Sequence, residues 1–224
     1  MKAFGRTELQ AEKYLIDFEN DADITIDISE QVMDKAKEVL GYDDDSDAYY
    51  LASGFAFYKS LLKFDGFMLH SSAVCIDENA YLFSGQSGRG KSTHTKLLLD
   101  LLKERCFILN DDKPAIRFSQ SGGINVYGTP WSGKQDLNKN VKAPLKGICF
   151  ISRSETNKIE LLSKKMAAVH IINQCTKNFT KAQWEKVLSM IDVLVENVPV
   201  YKLYCNKDIS AAKLSFENLT GEKL

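Results

Sequence analysis

The chain has 224 residues, a net charge of −1 and a hydrophobic content of 44%. This length suits one α/β domain or a core domain with a small addition, and the hydrophobic content excludes wholesale disorder. No apolar run approaches the roughly 18 residues of a membrane span, and the chain start lacks the apolar core of a signal peptide, so we expect no membrane partner.

The charge is unevenly distributed along the chain. Residues 1–70 contain 15 acidic and 7 basic residues, a balance of −8, whereas residues 71–224 contain 15 acidic and 22 basic, a balance of +7. A site for a polyanionic nucleotide would favour the basic part, although solvated faces can give the same split. The asymmetry is too mild to indicate nucleic-acid binding.

The five cysteines are scattered, odd in number and without a C-x-x-C pair. This pattern is typical of reduced thiols rather than of a disulfide framework or a zinc site. We therefore expect a cytoplasmic protein.

The first part of the chain predicts a small acidic α+β extension at 1–65, packed on a main domain at 66–224. Alternating apolar residues predict two short strands at 14–18 and 24–28, followed by a helix at 29–40. The acidic run at 43–47 is expected to cap the next helix rather than to bind a metal. That helix, at 48–64, carries an aromatic stripe of the kind that belongs to a core.

The main domain alternates strands and helices, which predicts an α/β fold with a mixed sheet. Apolar runs at 67–76 and 80–84 flank a short turn and predict an antiparallel hairpin. Further strands and helices are expected at 97–102 (helix), 106–109, 115–118 and 124–127 (a second hairpin), 144–152, 161–175 (helix), 181–196 (helix), 198–205 and 209–219 (helix).

An octapeptide between the strand at 80–84 and the following helix fits the pattern G-x-x-x-x-G-K-[ST] of a phosphate-binding loop. Glycines let backbone N–H groups turn onto phosphate oxygens, and the helix adds its positive N-terminal end. Lys91 can reach the β- and γ-phosphates, and the Ser92 hydroxyl can bind Mg²⁺. The predicted nucleotide-binding residues are Gly85, Gln86, Ser87, Gly88, Arg89, Gly90, Lys91, Ser92 and Thr93.

An acid pair and a histidine are predicted beside this loop. Asp111 and Asp112 follow the strand at 106–109, which a strand–helix–strand crossover sets parallel to the strand at 80–84, so their carboxylates are expected near the bound phosphates. One can hold Mg²⁺ and the other can take a proton from an attacking hydroxyl, although an Asp-Asp pair also occurs in plain turns. The hairpin register places His70 opposite about residue 86, where a site role and a core role both remain open. His94 and His170 are expected to be core residues.

A turn-rich stretch at 128–134 contains an aromatic residue and a cation, Trp131 and Lys134. It could form an acceptor-binding edge, with Lys134 stabilising charge on a transferred phosphoryl group, or be a surface turn. Arg153 ends the strand at 144–152 and could add a cation to the same edge.

The combination of His70, the loop at 85–92 and the Asn-Asp-Asp sequence at 110–112 resembles the catalytic domain of HPr kinase/phosphorylase. It resembles ATP-dependent phosphoenolpyruvate carboxykinase more distantly. The similarity is greatest to HPr-kinase-like proteins, some encoded beside ribosomally made peptides such as lasso peptides, which share the Gly-Thr-Pro-Trp stretch at 128–131. The resemblance covers about residues 66–205 and makes 66–224 the expected catalytic domain, with a phosphate-loop fold whose mixed sheet has an antiparallel hairpin before the loop.

By this resemblance, Asp112 is the base that activates a serine hydroxyl, His70 is catalytic with it, and Lys91 bridges the β- and γ-phosphates. Asp111 and Ser92 hold Mg²⁺, and the nucleotide is ATP or GTP.

Three functions follow as hypotheses. The first is an ATP/Mg²⁺-dependent kinase that phosphorylates a serine hydroxyl of a peptide or protein. The second is a kinase for a small molecule such as free serine, and the third is a nucleotide-binding regulatory module with little catalysis. Oligomeric state stays open, with a homo-oligomer among the options.

Overall fold

The structure, a computed structural model, describes residues 24, 26, 28–40, 45–120, 122–133, 135–176 and 179–224. The strand predicted at 14–18 lies outside these residues, and Ile24, Ile26 and Ile28 carry no regular secondary structure. The first helices are α1 (Glu30–Leu40) and α2 (Asp45–Ser60), and α2 continues into a 3-10 turn at Leu61–Phe64. Of the acidic run at 43–47, only 45–47 lie among the described residues, and they form the first turn of α2.

The rest of the described chain alternates strands and helices. In order these are β1 (Gly66–Met68), β2 (Ser71–Ile76), β3 (Asn79–Ser84), α3 (Lys91–Leu102), β4 (Cys106–Asp112), β5 (Ala115–Phe118), β6 (Ile124–Tyr127), β7 (Lys142–Arg153), β8 (Lys158–Leu161), α4 (Lys164–Gln174), α5 (Lys181–Asn197), β9 (Val200–Cys205) and α6 (Ile209–Thr220). The fold is therefore mixed α/β.

The strands of the described residues form one mixed sheet in the order β1-β5-β6-β7-β3-β2-β4, with β9 on β7 and β8 on β9. β3 lies between β2, which is antiparallel to it, and β7, which is parallel. β4 pairs antiparallel with β2, and so it runs in the same direction as β3 without pairing with it. Ser71 pairs with both Ser84 and Asp112, which places the ends of β3 and β4 at one sheet edge.

Two stretches differ from their sequence predictions. The run at 67–76 is two strands, because β1 leaves the hairpin to pair with β5 while β2 pairs with β3 and β4. The break falls at Leu69 and His70, where Leu69 bridges to Cys175 and the His70 N–H donates to the Gln174 carbonyl. The helix predicted at 161–175 begins only at Lys164, because Leu161 ends a strand that pairs with β9.

Helices cover both faces of the sheet. α4 and α5 pack on one face through Ile171, Val187 and Leu194, whereas α3 and α6 pack on the other through Leu98 and Phe216. The burial pattern along β7 reflects this two-sided packing. Its first half alternates between buried and exposed residues, and its second half is buried almost continuously, between β3 and β9. This explains why the sequence there is an unbroken apolar run.

The helix ends are set by local side-chain bonds. α5 starts with a capping box, in which Thr180 and Gln183 bond each other's backbone N–H groups, and α6 starts at Asp208, whose carboxylate accepts from the Ser210 N–H. These contacts satisfy backbone donors that would otherwise lack partners. All five cysteines are buried and unpaired, as the sequence predicts. None of the helices formed by the described residues combines the length and apolar character that crossing a bilayer requires.

Candidate active site

The loop between β3 and α3 lies at the sheet edge where β3 and β4 end. Gly90 caps α3 with a φ of 103°, a conformation that favours glycine, and the His94 N–H closes the first helical turn onto its carbonyl at 2.9 Å. The N-terminus of α3 therefore faces the edge with N–H groups that have no partner inside the helix. Backbone geometry and helix polarity together make this loop suited to anions.

Lys91 bends back over the loop. Its Nζ donates to the Gly85 carbonyl at 3.0 Å, and the side chain is held close to the acid pair. Burial lowers the pKa of Lys91, an effect that the charges of Asp112 and Asp111 oppose. A half-buried ammonium at this position can exchange a carbonyl for a phosphate oxygen with little movement of the loop.

Ser92 and Asp111 meet directly. The Ser92 hydroxyl donates to Asp111 Oδ1 at 3.2 Å, and Asp111 is buried at the end of β4. Mg²⁺ is bound through oxygen atoms, and its protein sites use one or two carboxylates together with water and substrate phosphates. These two oxygens fit that pattern. Among the described residues no group of three or more His, Cys, Asp or Glu side chains could form a metal site by itself.

Asp112 lies between two cationic or proton-bearing groups. His70 Nε2 is 3.1 Å from its Oδ1, and the Lys113 ammonium pairs with its Oδ2. Burial favours the neutral carboxyl, but the hydrogen bond from His70 and the charge and hydrogen bond of Lys113 outweigh it and lower the pKa of Asp112 to about 2. The carboxylate is therefore ionised at neutral pH and can accept a proton from a hydroxyl only weakly.

His70 is fixed from its other side by α4. Its Nδ1 is 3.2 Å from Gln174 Oε1, and its backbone N–H donates to the Gln174 carbonyl at 3.0 Å. The pairing of Ser71 with Ser84 puts His70 one residue beyond the hairpin, level with Gly85. The predicted register placed it opposite about residue 86, which is one residue away. The strand break is what frees His70 to bond both α4 and Asp112.

These groups surround one cleft, which we call the phosphate cleft. It has a volume of about 410 Å³. Its lining residues are His70, Ser87, Gly88, Gly90, Lys91, Ser92, Thr93, Asp111, Asp112, Gly133, Gln135 and Arg153. The structure thus brings the predicted histidine, acid pair, phosphate loop and Arg153 together, and the Arg153 guanidinium donates to the Gly88 carbonyl.

The stretch at 128–133 reaches the phosphate cleft through Gly133 and not through its aromatic side chain. Trp131 is 2% exposed, stacks on Phe57 and donates from Nε1 to the Tyr50 carbonyl, so it lies beneath the loop and not in the cleft. Gly133 is the cleft residue here, and Lys134 lies outside the described residues. His94 is buried in the core as predicted, whereas His170 is only half-buried and stacks on Phe150.

Several residues at the site escape sequence analysis. Gln174 and Tyr50 bond residues that are far from them in the chain, and neither belongs to a recognisable motif. Lys113 and Gln135 are next to predicted residues but carry no pattern of their own. Asn110 is buried and braces the turn after β4, because its amide donates to Thr129 and its oxygen accepts from the Lys113 N–H.

No protein-family model matches the chain, and no curated protein matches it. Among solved structures, the chain is similar to the Hpr(Ser) kinase/phosphatase from Coxiella burnetii, with a TM-score of 0.41 and 13% sequence identity. The match covers 69% of this chain and 88% of that one. A likeness at this level carries no argument about activity, and the proposed function therefore rests on the site itself.

Proposed function

We propose that this protein is an ATP/Mg²⁺-dependent kinase that transfers the γ-phosphoryl group to a serine hydroxyl of a peptide or protein. One observation carries the proposal. A phosphate-binding loop, a serine–carboxylate pair suited to Mg²⁺ and a second carboxylate held by His70 all face one cleft. A domain that only binds nucleotide has no need of the second carboxylate at the phosphates.

The nucleotide would be bound by this chain's own backbone and cations. N–H groups of the loop and of the α3 N-terminus bind phosphate oxygens, and Lys91 reaches the β- and γ-phosphates. Ser92 and Asp111 would hold Mg²⁺, which neutralises charge on the phosphates when bound. Arg153, at the end of β7, lies where it can add a further positive charge.

Asp112 would act on the acceptor. The serine oxygen attacks the γ-phosphorus, the bond to the β–γ bridging oxygen breaks, ADP leaves, and the hydroxyl proton passes to Asp112. Such transfers have a loose transition state, so that positioning contributes more than basicity and a weak base is sufficient. His70 and Lys113 fix the direction in which the carboxylate points. GTP could replace ATP in the same scheme.

The fold proposed for this chain is that of the HPr-kinase catalytic domain at 66–224, with residues 1–65 as an extension. The motif combination of His70, the loop at 85–92 and Asp111–Asp112 supports it. Five buried thiols support a reducing compartment, and we place the reaction in the cytoplasm.

The acceptor can be identified directly. Purified protein is incubated with γ-labelled ATP and Mg²⁺ against a serine-containing peptide library and against free serine. Label on a peptide serine is the expected result. Label on free serine alone would make the protein a small-molecule kinase, and ATP binding without transfer to any acceptor would replace the kinase with a regulatory module.

A further inference from the structure

A second, polar cleft lies farther along β5, away from the acid pair. It has a volume of about 390 Å³ and is formed by the end of the 3-10 turn at Leu61–Phe64, by β5 and by β6. We call it the arginine cleft, because Arg117 lines it together with Lys63, Phe64, Asn125 and Tyr127. None of its lining residues lines the phosphate cleft, so it is a separate site.

The Arg117 guanidinium is fixed on one side and open on the other. Its Nε donates to the Phe64 carbonyl at 3.1 Å, and its Cζ lies 5.7 Å from the ring centroids of both Phe64 and Tyr127. Both aromatic rings attract the cation, and these contacts limit the freedom of the side chain. Among the described residues, no acceptor bonds the two Nη groups of Arg117. The fork that a carboxylate can bind through both oxygens is therefore held in place and left for a ligand.

The charges around Arg117 favour an anion. Lys63 is exposed and adds a second positive charge to the lining. The acid in the lining is Asp65, and its Oδ1 pairs at 2.8 Å with the ammonium of Lys186, which lies outside the cleft. The arginine cleft therefore keeps an excess of positive charge, which suits a carboxylate. The Asn125 amide can bond a peptide group beside that carboxylate.

The chain relates the arginine cleft to the acceptor end of the phosphate cleft. Arg117 follows Asp112 by five residues, and so the two Cα atoms are at most about 18 Å apart. Tyr127 pairs with Ala115, three residues beyond Asp112, and the stretch that follows Tyr127 reaches the phosphate cleft at Gly133. An extended peptide covers the same distance in about five residues.

We propose that the arginine cleft binds a carboxylate of the acceptor peptide, from an Asp or Glu within about five residues of the serine that is phosphorylated. This inference rests on the proposed function. The Nη groups of Arg117 bind the two carboxylate oxygens, Lys63 adds attraction, and the Asn125 amide bonds the adjoining peptide group. Binding at this distance from Asp112 selects which serine is presented and takes no part in the transfer itself.

The experiment measures carboxylate recognition by binding, without ATP. A peptide library with one fixed serine, and with Glu or Gln at single positions up to five residues on either side, is passed over the immobilised full chain. We expect wild type to retain Glu peptides about tenfold more than the matched Gln peptides at one or two positions, because the Arg117 pair is charge-assisted and bidentate. Arg117→Gln should bring this ratio to within about twofold of one. The matched control is Lys146→Gln, an exposed cation of β7 that lines neither cleft and should keep the wild-type ratio.

A second variant covers misfolding. Unfolding curves show whether Arg117→Gln is folded, and where it is not, Arg117→Lys takes its place. This variant keeps the charge but loses the planar fork, and we expect its ratio to fall about threefold or more. Equal retention of Glu and Gln peptides by wild type overturns the inference, as does a wild-type ratio in the folded Arg117 variant.

The proposed function can fail separately. A wild type that retains Glu peptides but labels none of them with γ-labelled ATP contradicts the proposed kinase and leaves carboxylate binding in place. Labelling of serine peptides with no preference for Glu contradicts the inference alone.

Discussion

At the scale of single residues, His70 joins three distant parts of the chain. Its ring lies between Gln174 on α4 and Asp112 at the end of β4, at 3.2 and 3.1 Å. Asp112 is bound in turn by Lys113. A carboxylate held on both oxygens has one preferred orientation, and its alignment with an acceptor hydroxyl depends on the partners that hold it.

Gln174 is therefore expected to be a positioning residue for the transfer step. Gln174→Leu removes the amide oxygen beside His70 at similar volume, and we expect kcat to fall about tenfold or more because the imidazole loses its orientation. The dissociation constant for ATP should not change, since Gln174 does not line the phosphate cleft. Gln120→Leu, at an exposed turn, is the control. Wild-type kcat in Gln174→Leu, or a change in ATP affinity instead, would contradict the role.

The buried ring of His94 leads to a prediction about the stability of the fold. Ser215 Oγ donates to the Ala212 carbonyl at 3.0 Å, so its oxygen accepts from His94 Nε2–H. The other ring nitrogen has no hydrogen-bond partner among the described residues. Burial lowers the pKa of His94 to about 4. Since the unfolded chain binds this proton near pH 6.5, stability is full above that pH and is lost as the pH falls toward 4.

The loss attributable to His94 should be about 2 kcal/mol of unfolding free energy between pH 7 and pH 4.5. Urea unfolding at the two pH values measures it in wild type and in His94→Gln, which can still bond Ser215 but does not titrate. The wild type should lose that much more stability than the variant. Equal losses in both proteins would show that His94 is not buried in neutral form.

At the scale of elements, α2 sets the position of the loop at 128–133. The Tyr50 hydroxyl accepts from the Gly133 N–H at 3.1 Å, and the Tyr50 carbonyl accepts from Trp131. A Cβ on Gly54 would lie 2.9 Å from the indole, which shows how closely the helix and the loop approach. Gly133 in turn lies against Asp112, whose Cβ would be 3.2 Å from a Cβ added there. The distance between loop and carboxylate therefore depends on α2.

Tyr50→Phe tests this coupling. It removes only the hydroxyl, so we expect a loss of about 1 kcal/mol in stability and a several-fold fall in kcat, with ATP binding unchanged. Tyr49→Phe, on the neighbouring residue, which lines neither cleft, is the control. Unfolding curves and steady-state kinetics give the two readouts. A kcat at the wild-type level in Tyr50→Phe would show that the Tyr50 contact of α2 does not affect the transfer step.

Local sequence patterns account for much of the fold and miss the long-range parts. The helices predicted at 181–196 and 209–219 match α5 and α6 to within one residue at each end. The break at His70 could not be predicted, because it depends on bonds to Gln174, 104 residues away. Leu161 looked helical for the same reason, since its pairing with Tyr201 is invisible to local periodicity.

The site residues, like the elements of the fold, are partly predictable from local sequence and partly dependent on contacts between distant parts of the chain. The sequence predicts that the loop at 85–92 and Asp111–Asp112 lie side by side, from the loop's fixed spacing and from the strand–helix–strand crossover, and residues of both line the same cleft. The sequence leaves Trp131 either at an acceptor edge or in a surface turn. Its burial under the loop matches neither, and it depends on a hydrogen bond to Tyr50, 81 residues away. Gln174 and Tyr50 give no local signal, since each is an ordinary polar residue on a helix whose partner is distant in the chain.

At the scale of the whole molecule, the sheet brings the chemistry to one edge. β3 and β4 run in the same direction on either side of β2, and Ser71 of β2 pairs with the last residue of each, Ser84 and Asp112. Lys91, Lys113 and Arg153 lie at the same edge as the acid pair, within the part of the chain that carries a charge of +7. In the proposed mechanism, the loop binds the phosphates and the carboxylate at the end of β4 takes the proton.

The separate roles proposed for the loop and for Asp112 can be measured together. ATP binding and transfer of labelled γ-phosphate are measured side by side in wild type, Asp112→Asn and Lys91→Ala. We expect Asp112→Asn to bind ATP within about threefold of wild type and to transfer about a hundredfold more slowly or worse, because the base is lost but the loop is intact. Lys91→Ala should instead weaken ATP binding itself. Wild-type transfer by Asp112→Asn, or equal loss of binding and transfer, would contradict the account.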